Sequence, residues 1–169
     1  MARKTRDRTQ FAALPYRIGA HGQPEVLLLT SRETRRWVIP KGWPIKGLKP
    51  REVAVREAYE EAGLQGTISG KLPFAVYHYE KQFPGEQLLC EVQVFLFWVT
   101  GQHSDWPEKG QREALWLSVA EAAALVDEGG LAELLRTAFA PTRPRRLVAA
   151  TMVPSRRRLP IASSMSVVI

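Results

Sequence analysis

Two short apolar runs, "EVLLLTS" (Glu25 to Ser31) and "RRWVIP" (Arg35 to Pro40), are bounded by turn and charged residues and predict two strands. Pro40 to Pro50, "PKGWPIKGLKP", carries two glycines and three prolines and predicts a loop. From Pro50, whose fixed φ suits a first helical turn, Val53, Val55, Ala58, Tyr59 and Ala62 recur with a helical period. That pattern sets Glu57, Glu60 and Glu61 on another side, and Gly63 closes the helix as a left-handed cap. A strand over Phe74 to Glu80, a turn at "FPGE" and a Val- and Phe-rich strand over Leu88 to Thr100 read as a hairpin. "ALWLS" (Ala114 to Ser118) is a further strand, and Ser118 with Glu121 forms a capping box that opens an alanine-rich helix. "LAELLRTAF" extends the helical end after Gly129 and Gly130. Strands, helix, strands, helix in this order predict an α+β or α/β/α sandwich rather than a regular βαβ repeat.

The length of 169 residues, 45% of them hydrophobic and 24% charged, fits one compact domain with some extra length. A single cysteine, Cys90, lies in the apolar run "LLCEVQVFLFWV", which excludes a disulfide framework and a cysteine-based zinc site. It is expected to be a buried strand residue in a reducing compartment. The basic N-terminus is followed by no apolar signal core, and no apolar stretch approaches the roughly 20 residues that span a bilayer, so a cytoplasmic protein without membrane contact is expected.

The net charge of +7 is unevenly placed. Residues 1–10 hold four Lys or Arg against one Asp, the tail 140–169 holds six Arg and no acid, and 11–139 hold 14 bases against 16 acids. This predicts a basic N-terminal arm, a domain over 11–139 and a basic, flexible tail. The arms imply weak, non-specific contact with nucleic acid or polyphosphates. Within the domain, Arg32, Arg35, Arg36, Lys41, Lys46, Lys49, Arg51 and Arg56 stand against only Glu33 and Glu52. This basic stretch runs directly into the three glutamates.

On a helix Glu57 faces both Glu60 and Glu61, and like charges at this spacing repel by a few tenths of a kcal/mol, roughly, per exposed pair. Cations relieve that repulsion. Hard carboxylate oxygens with open positions suit Mg²⁺ or Mn²⁺ bridging to substrate phosphates, and the loop before the helix brings backbone groups and lysines to the same place. Taken alone, "EAYEEAG" reads more as a solvated helix face with ordinary Glu52–Arg56 and Arg56–Glu60 pairs than as a site.

The wider pattern resembles the Nudix hydrolase family, whose box is a glycine, five residues, a glutamate, seven residues, then Arg-Glu-aliphatic-x-Glu-Glu-x-Gly-aliphatic. Gly42, Arg56, Glu57, Ala58, Glu60, Glu61, Gly63 and Leu64 occupy the matching positions, and Leu48 stands where the loop glutamate is expected. The likeness covers roughly 11–139, including Trp116 to Ala122, and implies an α+β fold, an α/β/α sandwich with a mixed β-sheet. It implies that Glu60 and Glu61 are metal ligands, that Glu57 binds metal or orients the attacking water, and that Arg56 holds the glutamates. It further implies the backbone carbonyl of Lys41 as a ligand, and a ligand or base from Glu108 or Glu113. Leu48 removes polar support from the loop, a loss that costs about 10-fold to 100-fold in metal affinity or activity. Glu52 is the expected replacement partner for Arg56.

The resemblance implies hydrolysis of a diphosphate linkage, X-P-P-Y giving X-P and P-Y, with Mg²⁺ or Mn²⁺ as cofactor. "RRWVIPKG", "REAYEEAGLQGTI" and "SDWPEKGQREALWLSVAEA" look most like the diphosphoinositol polyphosphate and diadenosine polyphosphate type, so the partner expected is a small polyphosphate. Arg35, Arg36, Lys41 and Lys46 are candidates for phosphate contacts. Trp37, Trp43, Tyr77 and Tyr79 are candidates to stack on an adenine, although strand aromatics mostly serve the core. His21, His78 and His103 are isolated and read as surface or satisfied strand residues. Two other classes stay open: a non-catalytic polyphosphate sensor, motivated by Leu48, and a nucleic-acid binder using the arms.

Overall fold

The computed structural model describes residues 8–140. The basic arm before Arg8 and the arginine-rich tail after Ala140 lie outside the described residues. Eight strands and three helices follow in the order β1 (Thr9–Ile18), β2 (Pro24–Thr30), β3 (Trp37–Val38), β4 (Lys41–Gly42), α1 (Pro50–Ala62), β5 (Leu64–Ile68), β6 (Ala75–Phe83), β7 (Glu86–Gln102), β8 (Ala114–Ser118), α2 (Val119–Leu125) and α3 (Gly129–Ala138). Among the described residues no helix is long and apolar enough to cross a membrane.

The sheet is mixed. β1 lies parallel to β7, with Ala12 opposite Val94 and Leu14 opposite Leu96, and antiparallel to β2 and β4. β7 is long enough to pair β6 through its first half and β5 through its second. β2 pairs β8 along one edge and, beyond its short pairing with β1, β3 on the other, so that Leu29 lies between Ala114 of β8 and Val38 of β3.

Because side chains alternate across a sheet, one parity in all three central strands decides which helix layer each residue meets. Ala12, Leu14, Val26, Leu28, Val92 and Val94 pack against Ala122, Leu131, Leu134 and Leu135 of α2 and α3. The odd-numbered Ala13, Leu27, Leu29, Phe95 and Phe97 pack against Ala54, Ala58 and Ala62 of α1. Two cores on two faces of one sheet make the expected α/β/α sandwich.

Three strands were not foreseen from the sequence: β1, β5 and β4, whose Lys41 and Gly42 were expected in the loop from Pro40 to Pro50 but pair with Ala12 and Phe11 of β1. β1 runs through Pro15 and takes Thr9 and Gln10, read as arm, into the sheet. Pro15 lacks an N–H, yet the strand pairs through this region, opposite Phe97 in the parallel ladder. β5 contains Gly66, where a β-carbon would come within 2.1 Å of the Trp98 carbonyl oxygen, so the close pairing with β7 itself requires glycine.

Candidate active site

The site is built from α1. Pro50 occupies the first turn, and the Glu52 carboxylate accepts from the Lys49 backbone N–H at 2.7 Å, which fixes the helix start. Gly63 ends it in the left-handed conformation at φ 67°, its N–H donating to the Tyr59 carbonyl at 2.8 Å. The buried stripe of α1 differs from the one the apolar pattern predicts. Val53, Ala54, Ala58, Glu61 and Ala62 are buried, whereas Val55 and Tyr59 are exposed. At 100° per residue, positions 54, 58, 61 and 62 share one stripe, so helical geometry carries Glu61 inward with the alanines. Glu57, one turn earlier, lies at the margin of that stripe.

Gly42 of β4 packs against Glu57. A β-carbon at Gly42 would lie 2.0 Å from Glu57 Oε1, so only glycine lets the loop strand approach the helix this closely. Beside this contact opens a cavity of about 710 Å³, walled by β4, α1, the end of β6, the loop from Ser31 to Arg36 and the segment from Glu108 to Arg112. Glu57, Glu61 and Glu108 bring carboxylates to it; Arg36, Lys41 and Arg112 bring cations.

Arg112 joins the acidic groups. Its Nη2 lies 3.1 Å from Glu61 Oε1, its Nε donates to Glu108 Oε2 at 2.7 Å, and its Nη1 donates to the Thr30 carbonyl at 3.1 Å. Glu61 nevertheless keeps one carboxylate oxygen, Oε2, buried without a hydrogen-bond partner. Burial pushes its pKa up to about 8, outweighing the pull of Arg112, which Glu108 shares. Glu57 is also raised, first by burial and then by Glu60 and Glu108.

Among the described residues, no three acidic, His or Cys side chains converge into a ready-made metal cage. The donor chemistry still fits a hard divalent cation: a buried carboxylate with a free oxygen, and a second carboxylate one turn away whose charge is disfavoured by burial and like charge. A cation would offset the desolvation and repulsion that now raise both groups.

The remaining sequence-predicted residues divide clearly. Arg36 and Lys41 line the cavity; Arg35 and Lys46 do not. Arg35, in a left-handed turn at φ 55°, donates to the Gln111 carbonyl at 3.1 Å and lies 3.6 Å from Glu113. Glu113 is an exposed partner of Arg35, whereas Glu108 lines the cavity, a distinction the sequence left open. Glu60 does not line the cavity; it pairs with Arg56 at 2.6 Å. Arg56 thus reaches Glu60, and Glu52 is not its replacement partner, because the Glu52 carboxylate is taken by the helix start. Leu48 sits 36% exposed in the turn before α1, its N–H donating to the Ile45 carbonyl at 3.0 Å.

Of the four aromatics, Trp43 and Tyr79 line the cavity, Tyr77 is a core residue and Trp37 packs against the same core. His103 stacks edge-on with Tyr59, and His78 lies 3.8 Å from Glu91 on the exposed hairpin. Sequence reasoning missed Arg112, Gln10, Lys81 and Glu128, all of which line the cavity. The i, i+4 spacing of Glu108 and Arg112 was the one available signal for Arg112.

The chain matches the NUDIX domain family model over residues 8–138. It is 36% identical over 105 residues to Nudix hydrolase 12, mitochondrial, of Arabidopsis thaliana, covering 60% of this chain and 51% of that protein. It is 31% identical over 107 residues to the diphosphoinositol polyphosphate phosphohydrolase 3-alpha of Mus musculus, covering 59% of this chain and 58% of that one. The chain thus spans roughly half the length of these curated relatives. The fold is similar to that of a C. elegans Ap4A hydrolase, with a TM-score of 0.57 and 24% identity over 76% of this chain and 92% of that chain. With the family match covering most of its length and the box residues in register from Gly42 to Leu64, the chain belongs to the Nudix domain family.

Proposed function

We propose that the chain is a divalent-metal-dependent pyrophosphohydrolase that cleaves a diphosphate linkage in a nucleoside- or inositol-linked polyphosphate. The observation that carries this reading is Glu61, a buried carboxylate with a free oxygen in a cavity that also holds Glu57, Arg36 and Lys41. The names of relatives that act on diphosphoinositol polyphosphates, and of a structural neighbour that hydrolyses Ap4A, support the substrate class.

Glu57 and Glu61, with Glu60 after reorientation and the Lys41 carbonyl, are the groups that would hold Mg²⁺ or Mn²⁺. Such an ion supplies charge neutralisation at the phosphates and acidifies a bound water. The chain's own residues supply the rest. Arg36 brings a guanidinium fork and Lys41 a point charge to the phosphate oxygens. Glu57, whose proton affinity is raised by burial and neighbouring carboxylates, is suited to accept the proton of the attacking water. Glu108 is held by Arg112 and Arg32 and completes the acidic wall.

The assay is phosphate or nucleotide release from dinucleoside polyphosphates, inositol pyrophosphates, nucleoside triphosphates and ADP-ribose, each with Mg²⁺ and with Mn²⁺. Turnover of at least one, abolished by Glu61→Gln, supports the reading. Inertness toward all with both metals overturns it in favour of a polyphosphate sensor, the reading that Leu48 motivates. Nucleic-acid contact through the arms is tested separately, by whether removing residues 140–169 changes salt-dependent binding.

A further inference from the structure

The two residues of β4 face opposite ways. Gly42 stands opposite Phe11 of β1 and meets Glu57 on the α1 side of the sheet, whereas Lys41 stands opposite Ala12, whose small side chain belongs to the core under α2 and α3. The Lys41 ammonium is therefore carried toward the other helix layer. There its side chain is 11% exposed, and Nζ lies 5.0 Å from the Tyr79 ring centre. A buried ammonium is costly unless an anion meets it.

Glu128 is that anion. It is the N-cap residue of α3, where a carboxylate ordinarily accepts from the helix's own first N–H groups, yet its side chain makes no such bond. The carboxylate turns inward instead, 4% exposed, with Oε1 3.8 Å from Lys41 Nζ. Its other oxygen, Oε2, faces the buried Tyr77 hydroxyl, and among the described residues neither atom has another hydrogen-bond partner. Gly130 lets the start of α3 come this close to β6. A β-carbon there would lie 3.0 Å from Tyr77 Cβ and 3.2 Å from the His78 carbonyl oxygen. A side-chain helix cap is given up and a glycine is needed, and the result is one ion pair with Lys41.

We propose that Glu128 is a positioning residue that holds the Lys41 ammonium at the wall of the cavity, so that the start of α3 sets where this charge meets the phosphate oxygens of the substrate. The inference rests on the hydrolase reading for the nature of the anion, and adds to it a residue that acts through Lys41 alone. A lysine charge sits on a flexible four-carbon stem with no geometry of its own, and a buried carboxylate supplies the missing constraint.

Charge and position make opposite predictions. If only the charge of Glu128 matters, it repels phosphate, and its removal tightens anion binding. If Glu128 positions Lys41, its removal releases the ammonium and weakens binding, and does so only while Lys41 is present.

Calorimetry of methylenediphosphonate on the full chain with Mg²⁺ reads this without turnover, because the P–C–P bridge of the probe is not hydrolysed. Lys41→Met should weaken binding about tenfold, as expected for a hydrogen bond to a charged group. Glu128→Ala should weaken it by a similar factor. Glu128→Gln, which keeps an oxygen at the same reach, should recover part of that loss. In the Lys41→Met background, Glu128→Ala should change nothing further, which is the signature of two residues acting as one unit.

Tighter binding in Glu128→Ala overturns the proposal, as does a loss of equal size in both backgrounds, which would make Glu128 a general support of the fold. A wild-type chain that binds no probe overturns it too. If Glu128→Ala does not fold, Glu128→Gln takes its place in the cycle: a loss beside Lys41 that vanishes in Lys41→Met supports the proposal, and no loss or equal losses overturn it. Coupling in a protein that hydrolyses no polyphosphate leaves the positioning role standing and overturns the hydrolase reading; turnover without coupling does the reverse.

Discussion

Gly42 and Glu57 touch so closely that a single methyl group between them would lie 2.0 Å from the Glu57 carboxylate oxygen. Gly42→Ala must therefore move the carboxylate, the helix or the loop strand. The expected outcome is a fall in kcat of about 100-fold, the scale on which a displacement of about 1 Å acts at a reacting centre. Circular dichroism should show the fold retained, because Gly42 lies at the sheet edge. Wild-type kcat in this variant would mean that Glu57 does not need its present position.

Arg112 is the buried cation shared by Glu61, Glu108 and the Thr30 carbonyl. Arg112→Met leaves two carboxylates near the cavity without their guanidinium partner, and breaking a buried pair in this way costs about 3–5 kcal/mol. Urea unfolding of the metal-free protein at pH 9, where Glu61 is ionised, should show a loss on that scale. Arg112→Lys, a point charge that cannot span three acceptors, should recover only part of it.

The pH dependence of stability follows from Glu61, in chelator so that no cation competes. Its folded pKa of about 8 lies above the unfolded value of about 4.3, so between these the folded chain binds more protons than the unfolded one. The contribution of this group is fully favourable below the unfolded pKa and is lost as pH rises toward 8. The Tm of the metal-free protein should therefore fall over that window more steeply than that of Glu61→Gln. Parallel profiles for the two proteins would place the titration elsewhere.

Gly63 combines a left-handed φ of 67° with a β-carbon position 2.4 Å from the Trp106 ring. Gly63→Ala adds αL strain to overpacking, and about 2–4 kcal/mol should be lost in denaturant unfolding. The αL turn that ends α1 also leads directly into β5, so the loss should appear as a lower urea midpoint.

The sequence makes α1, its caps and the order of later strands legible because proline, glycine and the capping box act locally. The inward turn of Glu61 was hidden, since Val55 and Tyr59 satisfy an apolar pattern as well as Ala54 does, and only packing on β1 selects the alanine stripe. β1 was obscured by Pro15, whose missing N–H argues against a strand locally but is tolerated in this ladder. Glu108 and Glu113 look alike in the chain; the three bonds of Arg112 and the outward turn of Arg35 separate them. Glu128 lies between two helices and gave no local signal, because its place in the cavity lining depends on β1, β4 and β6 meeting there from distant parts of the sequence.

The most direct test of the account is the metal-dependent turnover of polyphosphates by the wild-type chain beside Glu57→Gln and Glu61→Gln. Hydrolysis of a diphosphate linkage that requires Mg²⁺ or Mn²⁺ and falls by at least about 100-fold in both variants is the predicted result. Turnover that is unchanged in both, or that proceeds equally in chelator, would contradict it.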